Sequence, residues 1–308
     1  MLRRVNPVSH SCTTRRGLTL LEVVVVVSIV GILSSLLACG IARVRVASMR
    51  VQCASKLGQL ALAVHQHEVQ HGRFPVGCAK PLARNLRDEA YYCGVGWLTS
   101  ILPYVEQERL WSDAQEANAK DPVGRSVLHR RVRATTIRAY VCPQESSELG
   151  GGTKYGGVWG ITSYVGVAGT GVRADDGVFH PNLSVGVLDI TDGASNTVMI
   201  GERPAGPNGE LSGWYSNWGN TTCAVAQIMA AGSNRWTAYE YVGCSASNVP
   251  LRPPQGEAGC GLAHFWSRHG EGANFALADG SVRFLSYSIG EALPALATRA
   301  GGEVVAIP

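Results

Sequence analysis

The chain has 308 residues, 45% of them apolar and only 16% charged, enough for one large domain with its own core. Its formal charge of +4 comes from 27 Lys and Arg against 23 Asp and Glu; Arg3, Arg4, Arg15 and Arg16 stand in residues 1–17 with no acid, and without those four the balance is 23 to 23. The basic excess belongs to the N-terminus and gives no ground for a nucleic-acid partner, while 37 Gly and 14 Pro predict loops and short strands.

Arg15-Arg16-Gly17 opens an apolar run, and from Leu18 to Leu37 the one ionisable residue is Glu22. The run has the length that crosses a bilayer. A carboxylate there is costly in lipid, which makes Glu22 a functional residue by default; the alternative is a plain signal anchor that tolerates an acid near one end. A secretory signal peptide is a poor fit, because the apolar segment is too long and no small-residue cleavage site follows. Arg43, Arg45 and Arg50 flank the far end, so positive-inside reasoning alone leaves the orientation open.

The string Arg16-Gly17-Leu18-Thr19-Leu20-Leu21-Glu22 resembles the processing signal of bacterial type IV pilins and type II secretion pseudopilins. The resemblance implies cleavage after Gly17 by a prepilin peptidase and methylation of the new amine, that of Leu18. Phe is usual there; Leu departs from the pattern but stays large and apolar. It implies that Glu22 meets the N-terminal amine of a neighbouring subunit during assembly. It also implies an N-terminus on the cytoplasmic side of the inner membrane and a domain in the periplasm or at the cell surface.

Beyond the membrane segment, Val44, Ala47, Val51, Ala54, Leu57, Ala61 and Val64 recur at three- and four-residue steps and predict an amphipathic helix. Gly72 and Pro75 end it. The chain then divides into a leader at 1–17, a transmembrane helix at 18–42, its amphipathic continuation at 43–72, and a β-rich domain at 73–308 with an irregular insertion at about 204–262. His67-Glu68-Val69-Gln70-His71 fits H-E-x-x-H, the zinc-hydrolase pattern. It lies on the last turn before a breaker with no third ligand evident, so both histidines, like His65, read better as packing residues.

Residues 76–95 form a loop, and Trp97, Leu98, Ile101, Leu102, Val105, Leu110 and Trp111 mark one or two helices around Pro103. Arg138 to Cys142 and Thr162 to Ala168 read as strands. Val185 to Ile190 and Thr197 to Glu202 read as a strand–loop–strand unit. In that unit Asp189, Asp192 and Asn196 offer the oxygen ligands calcium takes, against the commoner reading as turn formers. At Asn274 to Phe284 an Asp279-Gly280 type I′ turn pairs Leu277 with Val282 and Phe275 with Phe284, placing all four on one face.

Of nine cysteines, Cys12 falls in the leader and Cys39 in the membrane segment. The other seven form no CxxC pair, which argues against a zinc ribbon. Cys78 with Cys93, and two of Cys223, Cys244 and Cys260, are the locally plausible disulfides; an odd count leaves one thiol free or linked between molecules.

A second resemblance covers most of the chain. The pieces are Gln52-Cys53, Gly72-Arg73-Phe74-Pro75, Leu102-Pro103-Tyr104, Cys142-Pro143, Ser163-Tyr164-Val165-Gly166, Asp192-Gly193-Ala194-Ser195-Asn196, Gly201-Glu202-Arg203, and His269 followed after nine residues by Asp279-Gly280. They are similar to a bacterial family of prepilin-type proteins of unknown function, also labelled solute-binding-protein-10-like. That implies an α+β, pilin-like fold: a long N-terminal helix packed on an antiparallel sheet with large loops. It implies no chemistry. The leading expectation is a membrane-anchored pseudopilin-like assembly subunit, not an enzyme, with no cofactor. Its partners are the prepilin peptidase, other pilin subunits and membrane lipid. The alternatives are a tethered solute- or glycan-binding module, with Trp214, Tyr215, Trp218 and Trp236 as a stacking surface, and a zinc hydrolase on His67, Glu68 and His71.

Overall fold

A computed structural model describes residues 17, 19–79, 92–93, 96–121, 126–145, 158–170, 176–180, 182–206, 212–215, 217–218, 228–229, 251–254, 264–303 and 305. It divides into two units, one up to Ala47 and one from Ser48 onward.

In the first unit the chain enters helix α1 (Leu20–His71). The valine run Val23–Val27 is a weak intrinsic helix former because β-branching restricts χ1. In lipid that preference is overridden, since every backbone N–H and C=O must then be satisfied within the segment. Leu20–Ala38 has a mean hydropathy of 2.6 and buries none of its residues inside the chain.

In the second unit, α1 turns Cys53, Leu57, Leu60, Ala61 and Val64 into the core. Leu57, Ala61 and Val64 of the expected stripe are buried, whereas Val44 and Val51 are each 68% exposed, so the buried face begins at Cys53 and not at Val44. Helical spacing fixes a period but not where along the helix its apolar face meets the domain. Gly72, at φ +74°, ends the helix and donates its N–H to the Glu68 carbonyl, a left-handed stop that glycine adopts without strain.

The remaining elements are short. Strand β1 (Tyr92–Cys93) precedes helices α2 (Trp97–Ser100), α3 (Glu108–Lys120) and α4 (Arg130–Ala134). Strands β2 (Tyr164–Val167), β3 (Val198–Glu202), β4 (Asn217–Trp218), β5 (Ile228–Met229), β6 (Gly272–Leu277) and β7 (Val282–Ser286) follow, then helix α5 (Leu293–Ala297). The main sheet has the order β5-β2-β3-β6-β7, antiparallel throughout except for β5 against β2; β1 and β4 form a separate pair. This is the α+β class expected from the sequence.

The sheet is covered on both faces. Tyr164, Ile200 and Ala276 face the core shared with α1, Trp97 and Trp214. Val165, Val167, Phe275, Leu277 and Leu285 face a second cluster with Leu251, Phe265 and α5. Alternation along β2 and β6 thus feeds two cores, each strand burying all its residues.

The structure revises three expectations. The β6–β7 hairpin is one residue out of the predicted register: Phe275 faces Arg283, Asn274 faces Phe284, and Ala276 faces Val282. Gly280 N–H bonds to the Leu277 carbonyl and Leu277 N–H to the Ser281 carbonyl, with Gly280 at φ +85° and Asp279 not in the left-handed region. That is a three-residue loop, a type I turn followed by a glycine bulge, rather than a two-residue type I′ turn. Phe275 and Leu277 therefore lie on the far face, while Val282 packs toward α1 and Phe284 carries the Arg50 guanidinium 3.3 Å above its ring.

Arg138–Tyr140 is a 3-10 turn, not a strand. Its carbonyls need no strand partner, because Lys56 Nζ donates to those of Arg138 and Val141 at 2.7 Å each. Val187–Asp189 is likewise a 3-10 turn, held by Gly186 N–H donating to Asp189 Oδ2 at 2.8 Å.

Candidate functional sites

The residues expected from the sequence to act in processing and assembly, Gly17, Leu18 and Glu22, lie at the start of α1. Gly17 is exposed, and Leu18 lies outside the described residues. Thr19 donates its N–H and its hydroxyl to Glu22 Oε2, both at 2.8 Å, and Glu22 N–H returns a bond to Thr19 Oγ1 at 3.3 Å. This reciprocal Thr-x-x-Glu arrangement is a capping box, which satisfies helix N–H groups that otherwise lack partners. Glu22 thus already has local donors within its own chain.

A second constellation forms inside the outer unit. Cys53 on α1 and Cys142, after the Arg138–Tyr140 turn, are joined by a disulfide with Cα atoms 5.3 Å apart, a normal span. Against this bond lies His269, whose side chain is fully buried. Its Nε2 stands 3.6 Å from Cys142 Sγ and 3.3 Å from Glu202 Oε1. Glu202 ends β3 and is 2% exposed. Asn274 on the neighbouring β6 donates to it twice, from the backbone N–H at 2.7 Å and from Nδ2 at 3.1 and 3.2 Å. A buried carboxylate needs this many donors, because its ionised form loses water it cannot otherwise replace.

The surroundings are as ordered as the centre. Ser267 fixes the loop before His269, donating to the Gly272 carbonyl at 2.6 Å and accepting from His269 N–H at 3.0 Å. Ser163 Oγ accepts from Cys142 N–H at 3.1 Å. Glu145, its side chain 1% exposed, pairs with Arg268 at 2.9 Å and accepts from Ala205 N–H at 2.8 Å. Burial lowers the fully buried Arg203 to about 10. Burial first, and the Glu202 charge second, push the Tyr164 phenol well above its ordinary range. Cys142, Glu145, Ser163, Glu202, Ser267 and Arg268 line a small crevice.

Chemically the centre offers two sulfurs, an imidazole and a carboxylate. The candidate ligand atoms of Cys53, Cys142, Glu202 and His269 all lie within 4.8 Å of one another. His269 belongs to this group, while Asp279-Gly280 lies at the other end of β6, where Asp279 Oδ1 accepts from Ser281 N–H and Oγ–H. Sequence reasoning singled out His269 but not its partners. Cys53, Cys142 and Glu202 sit in quoted family pieces, and Glu202 also carries a local signal, an acid closing an apolar strand. The long-range cysteine pairing has no local signal. Cys78 is also disulfide-bonded; the other sulfur of that bond, and with it the expected pairing to Cys93, lies outside the described side chains, as do Cys223, Cys244 and Cys260.

The remaining candidates serve structure where they are described. His67 and His71 stack with ring centroids 4.1 Å apart, and their Nδ1 atoms bond to the carbonyls of Arg73 and His67. Asp192 accepts N–H bonds from Gly301 and Gly302 at 2.7 and 2.9 Å, and Asn196 donates to the Asp192 carbonyl. Asp189 is taken by Gly186 N–H and by Arg73. Both carboxylates thus already accept turn hydrogen bonds. Trp214 and Tyr215 are buried at 0% and 1% exposure, with Trp214 Nε1 donating to the Thr135 carbonyl and the Tyr215 hydroxyl bonded to His129. They fill the core and form no stacking surface; the side chain of Trp218, and Trp236 altogether, lie outside the described residues.

Residues 12–38 match the prokaryotic N-terminal methylation motif. No curated protein matches the chain, and no solved structure does. The stretch from 43 to 292, holding the disulfide, the buried glutamate and His269, matches a single family profile, and on that span the chain belongs to the family described as Protein of unknown function (DUF1559).

Proposed function

We propose that the protein is a membrane-anchored, pseudopilin-like structural subunit of a type II secretion or type IV pilus-like system. A prepilin peptidase cuts after Gly17 and methylates the amine of Leu18. Helix α1 then holds the chain in the cytoplasmic membrane with the outer domain beyond it. Neighbouring pilin-type subunits meet along α1, and Glu22 receives the N-terminal amine of one of them. The role is architectural and not catalytic.

One observation carries this reading. The methylation motif coincides with a helix whose apolar side chains are left bare by their own chain. Lipid and other helices are the surroundings that suit such a surface. The test is the mature N-terminus. In membranes of cells holding a prepilin peptidase, mass spectrometry should find a chain starting at methylated Leu18. Gly17→Glu should leave residues 1–17 attached. A wild-type chain that keeps those residues contradicts the proposal.

A further inference from the structure

We infer that the outer domain holds a redox-gated metal site: with the Cys53–Cys142 disulfide open, Cys53, Cys142, Glu202 and His269 bind one zinc-class divalent cation. This is independent of the processing and assembly reading above. It rests on four donors from four separate segments whose ligand atoms fall within 4.8 Å of one another.

The donor set is one zinc takes: thiolate sulfur, imidazole nitrogen and carboxylate oxygen. The geometry agrees. Ligands about 2.0–2.3 Å from a tetrahedral ion stand about 3.3–3.8 Å from each other. His269 Nε2 already lies 3.3 Å from Glu202 Oε1 and 3.6 Å from Cys142 Sγ, each the edge of such a tetrahedron. The two sulfurs must part, which breaking their bond allows, and the other edges, all within 4.8 Å, close on the ion.

Support around the site is also present. Asn274 aims the Glu202 carboxylate through backbone and side chain, and Ser163 and Ser267 hold the backbones of Cys142 and His269. Such partners orient ligands and raise affinity. Among the described residues His269 Nδ1 is buried with no hydrogen-bond partner, so none of them commits the ring to one tautomer through a second bond. Nε2 can carry a proton toward Glu202 or present its lone pair to an ion. Cys142 and Glu202 both line the small crevice, so part of the donor set borders it.

The switch balances as follows. A dithiol supplies two electrons and two protons; the Cys53–Cys142 bond breaks to two thiols, and the dithiol closes to its own disulfide. On binding, the cation displaces both thiol protons to solvent. A small disulfide closes the cycle: it takes two electrons from the two thiolates and two protons from solvent and leaves as its dithiol, the Cys53–Cys142 bond re-forms, and the ion, without its thiolates, is released. Disulfide and metal are therefore alternative clasps on the same two segments.

The full chain in detergent tests this. It is reduced with a phosphine, which does not itself supply thiolate ligands, desalted without oxygen, and titrated with Co²⁺ and Zn²⁺. The expected result is one ion per reduced chain, with thiolate-to-cobalt charge-transfer absorption and the d–d bands of a tetrahedral ion. The oxidised chain should bind none. His269→Gln can be folded with its disulfide intact and then reduced, which separates ligand loss from misfolding; it should weaken binding by more than about tenfold. A His67→Gln, His71→Gln double variant should bind as the parent does. A reduced chain that takes up no Co²⁺, a bound ion without thiolate bands, equal binding by the oxidised chain, or binding unmoved by His269→Gln each overturns the inference.

Discussion

Replacing both Cys53 and Cys142 with alanine removes the bond that ties α1 to the rest of the outer domain. The two cysteines are 89 residues apart in sequence. Closing a loop of that length in the unfolded chain costs about 4–5 kcal/mol by the chain-entropy relation. Other cross-links shorten the effective loop, and residual structure in the unfolded state lowers the figure, so it is an upper bound. Two further terms act in the same direction. Cys53 is fully buried and leaves a small void, and the imidazole of His269 loses a sulfur neighbour. Against a typical domain stability of about 5–15 kcal/mol the total is a large fraction. The assay is urea unfolding of the full chain in detergent, followed by fluorescence of the buried Trp97 and Trp214. The expected result is a loss of roughly 3–5 kcal/mol, read as a fall in midpoint at a similar slope. A loss below about 1 kcal/mol would refute the claim that this bond constrains the fold, since a loop of this length should then have counted for more.

Glu202→Ala should destabilise the domain by roughly 3–5 kcal/mol, because the buried His269 and the Asn274 donors then face an empty site; thermal unfolding checks it, and Glu202→Gln should cost clearly less. His67 is held below the ordinary histidine range by burial first. The charge of His71 lowers it too, while its bond to the Arg73 carbonyl pulls it up. A histidine lowered on folding contributes its stability fully above its unfolded value and loses it as pH falls through the folded one. An NMR titration of the ring should therefore show a midpoint below about 6.5; a midpoint above it would contradict the burial account.

Much of the fold is legible in the chain because local rules and tertiary packing agree. The apolar run and the Gly72 stop predict α1, and the β-branched runs at Thr162 to Ala168 and Thr197 to Glu202 predict strands that do form. Where the readings depart, two local solutions fit the same residues. Asp-Gly suits a type I′ turn and equally a type I turn with a glycine bulge, and the one-residue difference puts Phe275 and Phe284 on opposite faces. Val185 to Ile190 has strand composition, but Asp189 folds back on Gly186 and makes a turn. The buried centre is least legible. Its members come from α1, the segment after the Arg138–Tyr140 turn, β3 and the loop before β6, and no periodicity links them. His269 stands out by motif, whereas its partners are chosen by the sheet register that sets Glu202 beside Asn274.

The proposed role of α1 as an assembly helix, its acid meeting a neighbour's amine, can be tested in the membrane by replacing Cys39 and placing single cysteines at Val25, Ile29 or Ile32. Oxidative crosslinking should link chains to one another or to other pilin-type subunits. Glu22→Ala should still insert and still be cut, because lipid favours losing the acid and the cleavage site lies at Gly17. Crosslinking should fall sharply in that variant and recover with Glu22→Asp more than with Glu22→Gln, since only an acid neutralises an amine. Equal crosslinking with and without Glu22 would contradict the claim and leave the acid as the capping residue of Thr19 alone.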